Sequence, residues 1–137
     1  PLVEDPTLPM ATIMRALSNP TDLHNPDVVK VVINLKRDAM YFSRSLLPFP
    51  RGYKAHSVHE HIGIFSYRRD FLIQFSQLPP TPLEQVEKLE QLRALEHGHR
   101  IRVTLTQSED SLLSGFGVDK ADDLDRLEDM LEKRGIP

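Results

Sequence analysis

The sequence has 137 residues and a mass of 15.7 kDa, with 39% hydrophobic and 27% charged residues, which is enough chain for one domain with a core. A net charge of −3 excludes the basic field of a nucleic-acid binder, and the absence of cysteine excludes disulfides and thiolate metal sites. No apolar run approaches the roughly 20 residues of a membrane span. We expect a soluble, cytoplasmic segment that, lacking an initiating Met, is truncated.

The first part of the chain predicts a strand followed by a hairpin. Met10–Ala16 can form a short strand, and the loop after it contains two prolines. Residues 28–35 are mostly apolar and β-branched, with Lys30 as the exception among Val28–Ile33, as in a strand that is covered on both faces. A polar turn at residues 36–38 leads into a second strand, Ala39–Ser43, and the pair predicts a hairpin.

The middle of the chain shows signals for a strand and a helix. Apolar and polar side chains alternate over residues 61–67 in a way that predicts a strand, and residues 68–77 predict a short helix. The Pro-Pro pair at 79–80 ends that helix because proline cannot continue it.

A long helix is predicted over residues 82–96. Thr81 can act as N-cap, Pro82 suits the first helical position, and Glu84 completes a capping box. Gly98 is the expected stop. The residues that would keep one face apolar are Leu83, Val86, Leu89, Leu92 and Leu95.

The last part of the chain predicts a strand over residues 101–106 and a helix from Asp119 or Lys120 to Arg134. This mixture of strands and helices indicates half of an α/β sheet protein, not a helix bundle or a β-sandwich.

Five segments share their order and approximate spacing with one enzyme family. They are NPDVVKVV (25–32), YFSR (41–44), HIGIFSYR (61–68), PLEQVEKLEQLRALE (82–96) and GVD (117–119). Together they resemble the C-terminal half of the CMP-Kdo synthetases, cytidylyltransferases that use CTP to activate Kdo, the eight-carbon acid sugar of bacterial lipopolysaccharide.

The resemblance implies an α/β fold of the nucleotide-diphospho-sugar transferase type, with a Rossmann-like mixed sheet and flanking helices. Residues 1–137 would be the C-terminal sugar-binding and dimerisation half of the domain, and the N-terminal nucleotide-binding half would be missing. No Gly-rich phosphate loop occurs in the sequence. The implied partners are CTP, Kdo and a second copy of the chain.

The resemblance also implies roles for individual residues. The residues expected to bind the sugar are Arg44, Arg51, His61, Glu90 and Gln91. Asp119 would hold Mg²⁺, the expected cofactor, together with an Asp from the missing half. None of these residues is assigned as catalytic, because the reaction depends on positioning and charge neutralisation.

Taken alone, the residues leave other interpretations open. An Arg at a strand end is more often solvated, a lone His in a strand is more often part of the core, and Asp119 could simply cap a helix. Glu84 and Glu87 are best interpreted as capping and solvated-face residues. A zinc site formed by His56, His59 and His61 fits no strong metal motif.

Three departures from the family pattern affect the substrate. Lys120 adds a positive charge beside Asp119, Glu60 replaces a basic residue before His61, and Phe65 replaces a tyrosine. A modified Kdo or another acid sugar therefore stays open as substrate. A rival of a different class is a non-catalytic dimerisation or interaction module, and the chain on its own is expected to expose apolar surface and to associate.

Overall fold

The computed structural model describes residues 1–52 and 56–106. Its strands are β1 (Met10–Ala16), β2 (Lys30–Ile33), β3 (Ala39–Ser43), β4 (His59–Tyr67) and β5 (Ile101–Leu105). Its helices are α1 (Arg69–Gln77), α2 (Pro82–Glu87) and α3 (Gln91–Glu96), and a short 3-10 turn covers Pro20–Leu23.

Within the described part of the chain, the strands form a mixed sheet in the order β3-β2-β4-β1-β5. β1 runs parallel to β5 and antiparallel to β4, whereas β2 is antiparallel to both β3 and β4. The predicted mixed α/β sheet with flanking helices is therefore confirmed, as are the hairpin and the strand bounds of β1 and β3.

The turn between β2 and β3 extends across to β5. Asp38 is buried, and its carboxylate accepts a hydrogen bond from Nε of Arg102 at 2.7 Å. The backbone N–H of Val103 donates to the carbonyl of Arg37 at 2.9 Å. The predicted turn is therefore present, and it also fastens the strand at the far edge of the sheet.

β4 carries an irregularity where it pairs with β1. Thr12 lies opposite Phe65, but the next residue, Ile13, lies opposite Ile62. Gly63 and the exposed Ile64 between them therefore have no Cα partner in β1. Such a bulge breaks the regular ladder and redirects nearby carbonyl groups.

The helices cover one side of the sheet and enclose the core. Phe71 and Phe75 of α1 are buried, as are Leu92 and Ala94 of α3. The buried apolar cluster consists of Met10, Met14, Val31, Ala39, Phe42, Phe71, Phe75, Leu89, Leu92, Ala94, Ile101 and Val103. This core packs α1 and α3 against the sheet, whereas α2 has no buried residue.

The predicted long helix over residues 82–96 is wrong in its middle. It begins as expected, since Pro82 is the first residue of α2 and the Glu84 carboxylate accepts from the backbone N–H of Thr81 at 3.2 Å. Lys88 then adopts a left-handed conformation (φ 55°, ψ 46°), which ends α2. The segment therefore turns a corner between two short helices.

The corner also changes which apolar side chains are buried. Leu89 and Leu92 are 6% and 0% exposed, whereas Val86 is 80% exposed and Leu83 is 40% exposed. One continuous apolar face is therefore absent. Leu35, Met40 and Phe49 are exposed as well, and the predicted association of the chain remains a prediction.

The corner at Lys88 gives a test by glycine substitution. A non-glycine residue in the left-handed region costs roughly 1–2 kcal/mol, so Lys88→Gly should leave the free energy of unfolding unchanged or raise it by up to about 1 kcal/mol. The matched Gln85→Gly, inside α2, should lose about 1 kcal/mol. Urea unfolding of both variants measures the difference, and equal losses would indicate one continuous helix.

Candidate functional site

The carboxylate of Glu87 joins the end of α2 to the end of β3. Its Oε1 accepts from the Ser43 hydroxyl at 2.6 Å, and its Oε2 accepts from the backbone N–H of Arg44 at 2.9 Å. The Tyr41 hydroxyl lies 3.4 Å from Oε1, and burial together with this carboxylate raises the pKa of Tyr41. The predicted solvated-face role of Glu87 is therefore wrong.

The Arg44 side chain also binds the segment around Lys88, through backbone carbonyl groups. Its Nε donates to the backbone carbonyl of Glu87 at 2.8 Å, and its Nη2 donates to that of Lys88 at 3.5 Å. Its Nη1 donates to the carbonyl of Pro26 at 2.8 Å. Arg44 thus holds the carbonyls that flank the corner, and each terminal nitrogen keeps an N–H for a ligand.

Lys30 lies beneath this arrangement. Lys30 is the polar exception in an otherwise apolar strand, yet its side chain is 0% exposed. Its Nζ donates to the carbonyl of Asn25 at 2.6 Å and to that of Arg44 at 3.3 Å, and burial lowers its pKa. A buried cation needs such partners, and here they connect the loops before β2 and after β3.

His61 is buried near the start of β4. Its Nε2 lies 2.8 Å from the Thr12 hydroxyl. The ring of Phe42 meets its ring edge-on at 4.8 Å between centroids, and the Phe65 ring lies at 5.1 Å. Burial lowers the pKa of His61 to about 4, against a smaller opposing effect of Glu60, so the imidazole is neutral near pH 7.

An aromatic row leads from His61 towards α3. The Tyr67 ring lies 6.0 Å from that of Phe65 and 6.0 Å from that of Phe75 in α1. Burial raises the pKa of Tyr67, and the negative charge of Glu90 raises it further. Glu90 is therefore close enough to Tyr67 to influence its charge state.

Glu90 and Gln91 occupy the start of α3 and differ in exposure. The Glu90 side chain is 67% exposed, whereas Gln91 is 6% exposed. Arg93 pairs with the Glu84 carboxylate, Nε to Oε2 at 2.9 Å, and lies 5.1 Å from the centre of the Phe75 ring. α3 is therefore fixed against both α2 and α1.

Glu60 is buried and forms an ion pair with Arg15. It is 4% exposed, and its Oε2 lies 2.9 Å from Nε of Arg15, its partner residue on β1. Glu60, which departs from the family pattern, is therefore paired with an arginine of β1.

No described contact connects the other two predicted site residues, Arg51 and Asp119, with the residues above. Arg51 is exposed in the loop after β3, and Asp119 lies outside the described residues, as does the predicted last helix. No group of three or more His, Cys, Asp or Glu within the described ranges could hold a metal ion. Nor is any helix there long and apolar enough to cross a membrane.

Sequence reasoning missed Glu87, Lys30 and Thr12. A lysine inside an apolar strand is a usable signal for a buried cation, because charge is buried only with partners. Glu87 has no comparable signal, since a Glu among alternating polar helix residues is usually solvated.

The family model described as "Cytidylyltransferase" matches residues 2–101 of the chain. Three curated relatives carry the name 3-deoxy-manno-octulosonate cytidylyltransferase. The protein of Solibacter usitatus is 45% identical over 93% of this chain, that of Geobacter sulfurreducens is 44% identical over 96%, and that of Fusobacterium nucleatum is 41% identical over 97%. The chain spans about half of each relative, namely 49%, 55% and 52% of their lengths.

A solved structure is also similar. The structure of CMP:2-keto-3-deoxy-manno-octonic acid synthetase complexed with CTP superimposes with a TM-score of 0.83 at 39% sequence identity. The match covers 97% of this chain and 53% of that chain.

Removing the charge of Glu87 should loosen the corner. Glu87→Gln replaces one acceptor by an amide that faces a donor, so we expect a loss of about 2 kcal/mol in the free energy of unfolding. Glu90→Gln is the matched control at the same corner, and because its side chain is mostly exposed it should lose less than about 0.5 kcal/mol. Chemical denaturation measures both, and equal effects would contradict the structural role of Glu87.

Burial of His61 predicts a stability that depends on pH. Its folded pKa of about 4 lies below the ordinary 6.5, so between these values the unfolded chain binds a proton that the folded chain does not. Stability is therefore fully present above the ordinary value and falls towards the folded one, by roughly 3 kcal/mol at most.

Denaturant unfolding between about pH 4.5 and 7.5 tests this dependence. His61→Gln should reduce the slope of the curve, with a smaller part left to His59, whose pKa is also lowered by burial. His24→Gln, at an exposed histidine, should leave the slope unchanged. A curve that keeps its slope in His61→Gln would assign the pH dependence to other groups.

Proposed function

Because the chain belongs to the cytidylyltransferase family, whose model matches residues 2–101, we propose that it supplies the sugar-binding half of a CMP-Kdo synthetase. The names of the curated relatives and the similar CTP complex support this choice within the family. In the intact protein, the anomeric hydroxyl of Kdo attacks the α-phosphate of CTP, a new P–O bond forms and pyrophosphate leaves.

The proposed sugar site combines His61 of β4 with Glu90 and Gln91 at the start of α3. His61 and Gln91 offer buried polar groups, and Glu90 offers an exposed carboxylate. Hydroxyl groups of a sugar suit such acceptors and amides. The observation that carries the proposal is the neutral, buried His61 at the start of the aromatic row, in a chain of this family.

Arg44 and Arg51 are proposed to bind the acid group of the sugar. Arg is the side chain best suited to a carboxylate because its planar fork matches the two oxygens. Arg44 already holds three backbone carbonyls, so it would contact the ligand with its remaining N–H groups and keep the corner in place. The exposed Arg51 is available to move onto the ligand.

Mg²⁺, a second protomer and a cytoplasmic location complete the proposal. Asp119, after the described part of the chain, is proposed to hold the ion with a carboxylate of the nucleotide-binding half. When bound, the ion neutralises charge on the phosphates. Dimerisation through this half of the chain would use exposed apolar side chains of the kind found at Met40 and Phe49.

Titration calorimetry of the chain with Kdo, and separately with CTP and Mg²⁺, tests the proposal. We expect Kdo to bind and CTP to bind poorly, since the sequence has no Gly-rich phosphate loop. Arg51→Ala should weaken Kdo binding by about tenfold, or about 1.4 kcal/mol. Arg69→Ala, at another exposed arginine, should not.

A folded chain that binds neither ligand would instead favour a purely structural or interaction module. Competition between Kdo and an amino-sugar analogue then addresses the substrate, because Phe65 places an apolar ring beside His61 where the family has a hydroxyl. Tighter binding of the analogue would replace Kdo as the proposed substrate.

A further inference from the structure

The Thr12 hydroxyl lies among three polar atoms and has a single hydrogen to donate. Its Oγ1 is 2.7 Å from the carbonyl oxygen of Ile64, 3.3 Å from that of Ile62 and 2.8 Å from Nε2 of His61. Thr12 is 3% exposed, so water does not compete at this position. The direction of each hydrogen bond can therefore be deduced.

The β4 bulge explains why two carbonyl groups meet one hydroxyl. Gly63 and Ile64 are the extra residues between the pairs that β4 forms with Thr12 and Ile13. Near a bulge the ladder is interrupted, so the carbonyl groups need another donor. The Thr12 hydroxyl lies within hydrogen-bond distance of both oxygens and closer to that of Ile64.

A carbonyl oxygen can only accept, so the hydroxyl hydrogen of Thr12 belongs to the short contact with Ile64. Two oxygens 2.7 Å apart without a hydrogen between them would repel each other. The remaining contact, to His61, must then be donated by the imidazole, from Nε2–H to the Thr12 oxygen. In a neutral imidazole, Nδ1 then carries the lone pair.

The surroundings of His61 favour this neutral ring. Phe42 and Phe65 flank it with aromatic carbon, and burial holds its pKa at about 4. The charged group closest in sequence is Glu60, whose carboxylate is paired with Arg15. Within residues 1–52 and 56–106, no group hydrogen-bonds to Nδ1, which leaves this atom available to a ligand.

We propose that Thr12 is a positioning residue that fixes His61 as the Nε2–H tautomer, so that Nδ1 accepts a hydrogen bond from a sugar hydroxyl. The tautomer follows from the protein alone, whereas the ligand contact rests on the proposed function. An Nδ1 lone pair repels a carboxylate and attracts a donor. His61 therefore recognises a hydroxyl of the acid sugar, and the acid group binds elsewhere.

The tautomer is measured first, by two-bond ¹H–¹⁵N correlation spectra of the chain with ¹⁵N-labelled histidine near pH 7. We expect His61 to show a protonated Nε2 and an unprotonated Nδ1. Thr12→Val keeps the shape but removes the hydroxyl, and should give a mixture of tautomers. Thr12→Ser should restore the wild-type pattern, and Thr104→Val, on the neighbouring β5, should not disturb it. A wild-type spectrum with a protonated Nδ1 overturns the proposal.

The ligand contact is measured second, by calorimetric titration of Kdo into the same variants. Thr12→Val should weaken binding about tenfold, and Thr12→Ser should bind within about twofold of wild type. Equal affinity in Thr12→Val overturns the acceptor role of Nδ1. If wild type shows the expected tautomer but does not bind Kdo, the proposed function fails while the role of Thr12 stands. If Thr12→Val does not fold, the wild-type and Thr12→Ser spectra decide.

Discussion

The contact between Glu87 and the end of β3 fixes the geometry on which the candidate site depends. The carboxylate accepts from Ser43 and from the backbone of Arg44, and the Arg44 guanidinium returns to the carbonyls on either side of the corner. The two residues thus hold each other across elements that are more than forty positions apart in sequence. Since α3 begins just after this corner, the positions of Glu90 and Gln91 follow from it.

The parts of the fold that could be predicted are those with a local sequence signal. β1, β3 and β5 and the helix α1 have local signatures, namely alternation or a helical period ended by proline, and these appear where expected. The break at Lys88 has no local signature, because leucines spaced three apart fit one helix as well as two. It is stabilised by the guanidinium of Arg44, the residue after β3, which no window of sequence around Lys88 contains.

In the candidate site, too, the residues could be proposed from the sequence, but the contacts around them could not. His61, Glu90 and Gln91 are proposed as site residues from a family resemblance, but their surroundings could not be predicted from it. The Thr12–His61 pair depends on a register shift in β4, and register is a property of two strands. Lys30 shows the limit in another way, since its burial requires carbonyls from two separate loops. Asp119 lies beyond the described residues, so its role rests on the resemblance alone.

The contact of the β2–β3 turn with β5 has a consequence for how copies of the chain could meet. An edge strand with free N–H and C=O groups can recruit a strand from another molecule. Here the N–H of Val103 is already bound to Arg37, and Asp38 holds the side chain of Arg102 at the same place. Strand addition at this part of β5 would first have to displace the turn. At this part of β5, association of copies would then proceed through side chains and not by extending the sheet.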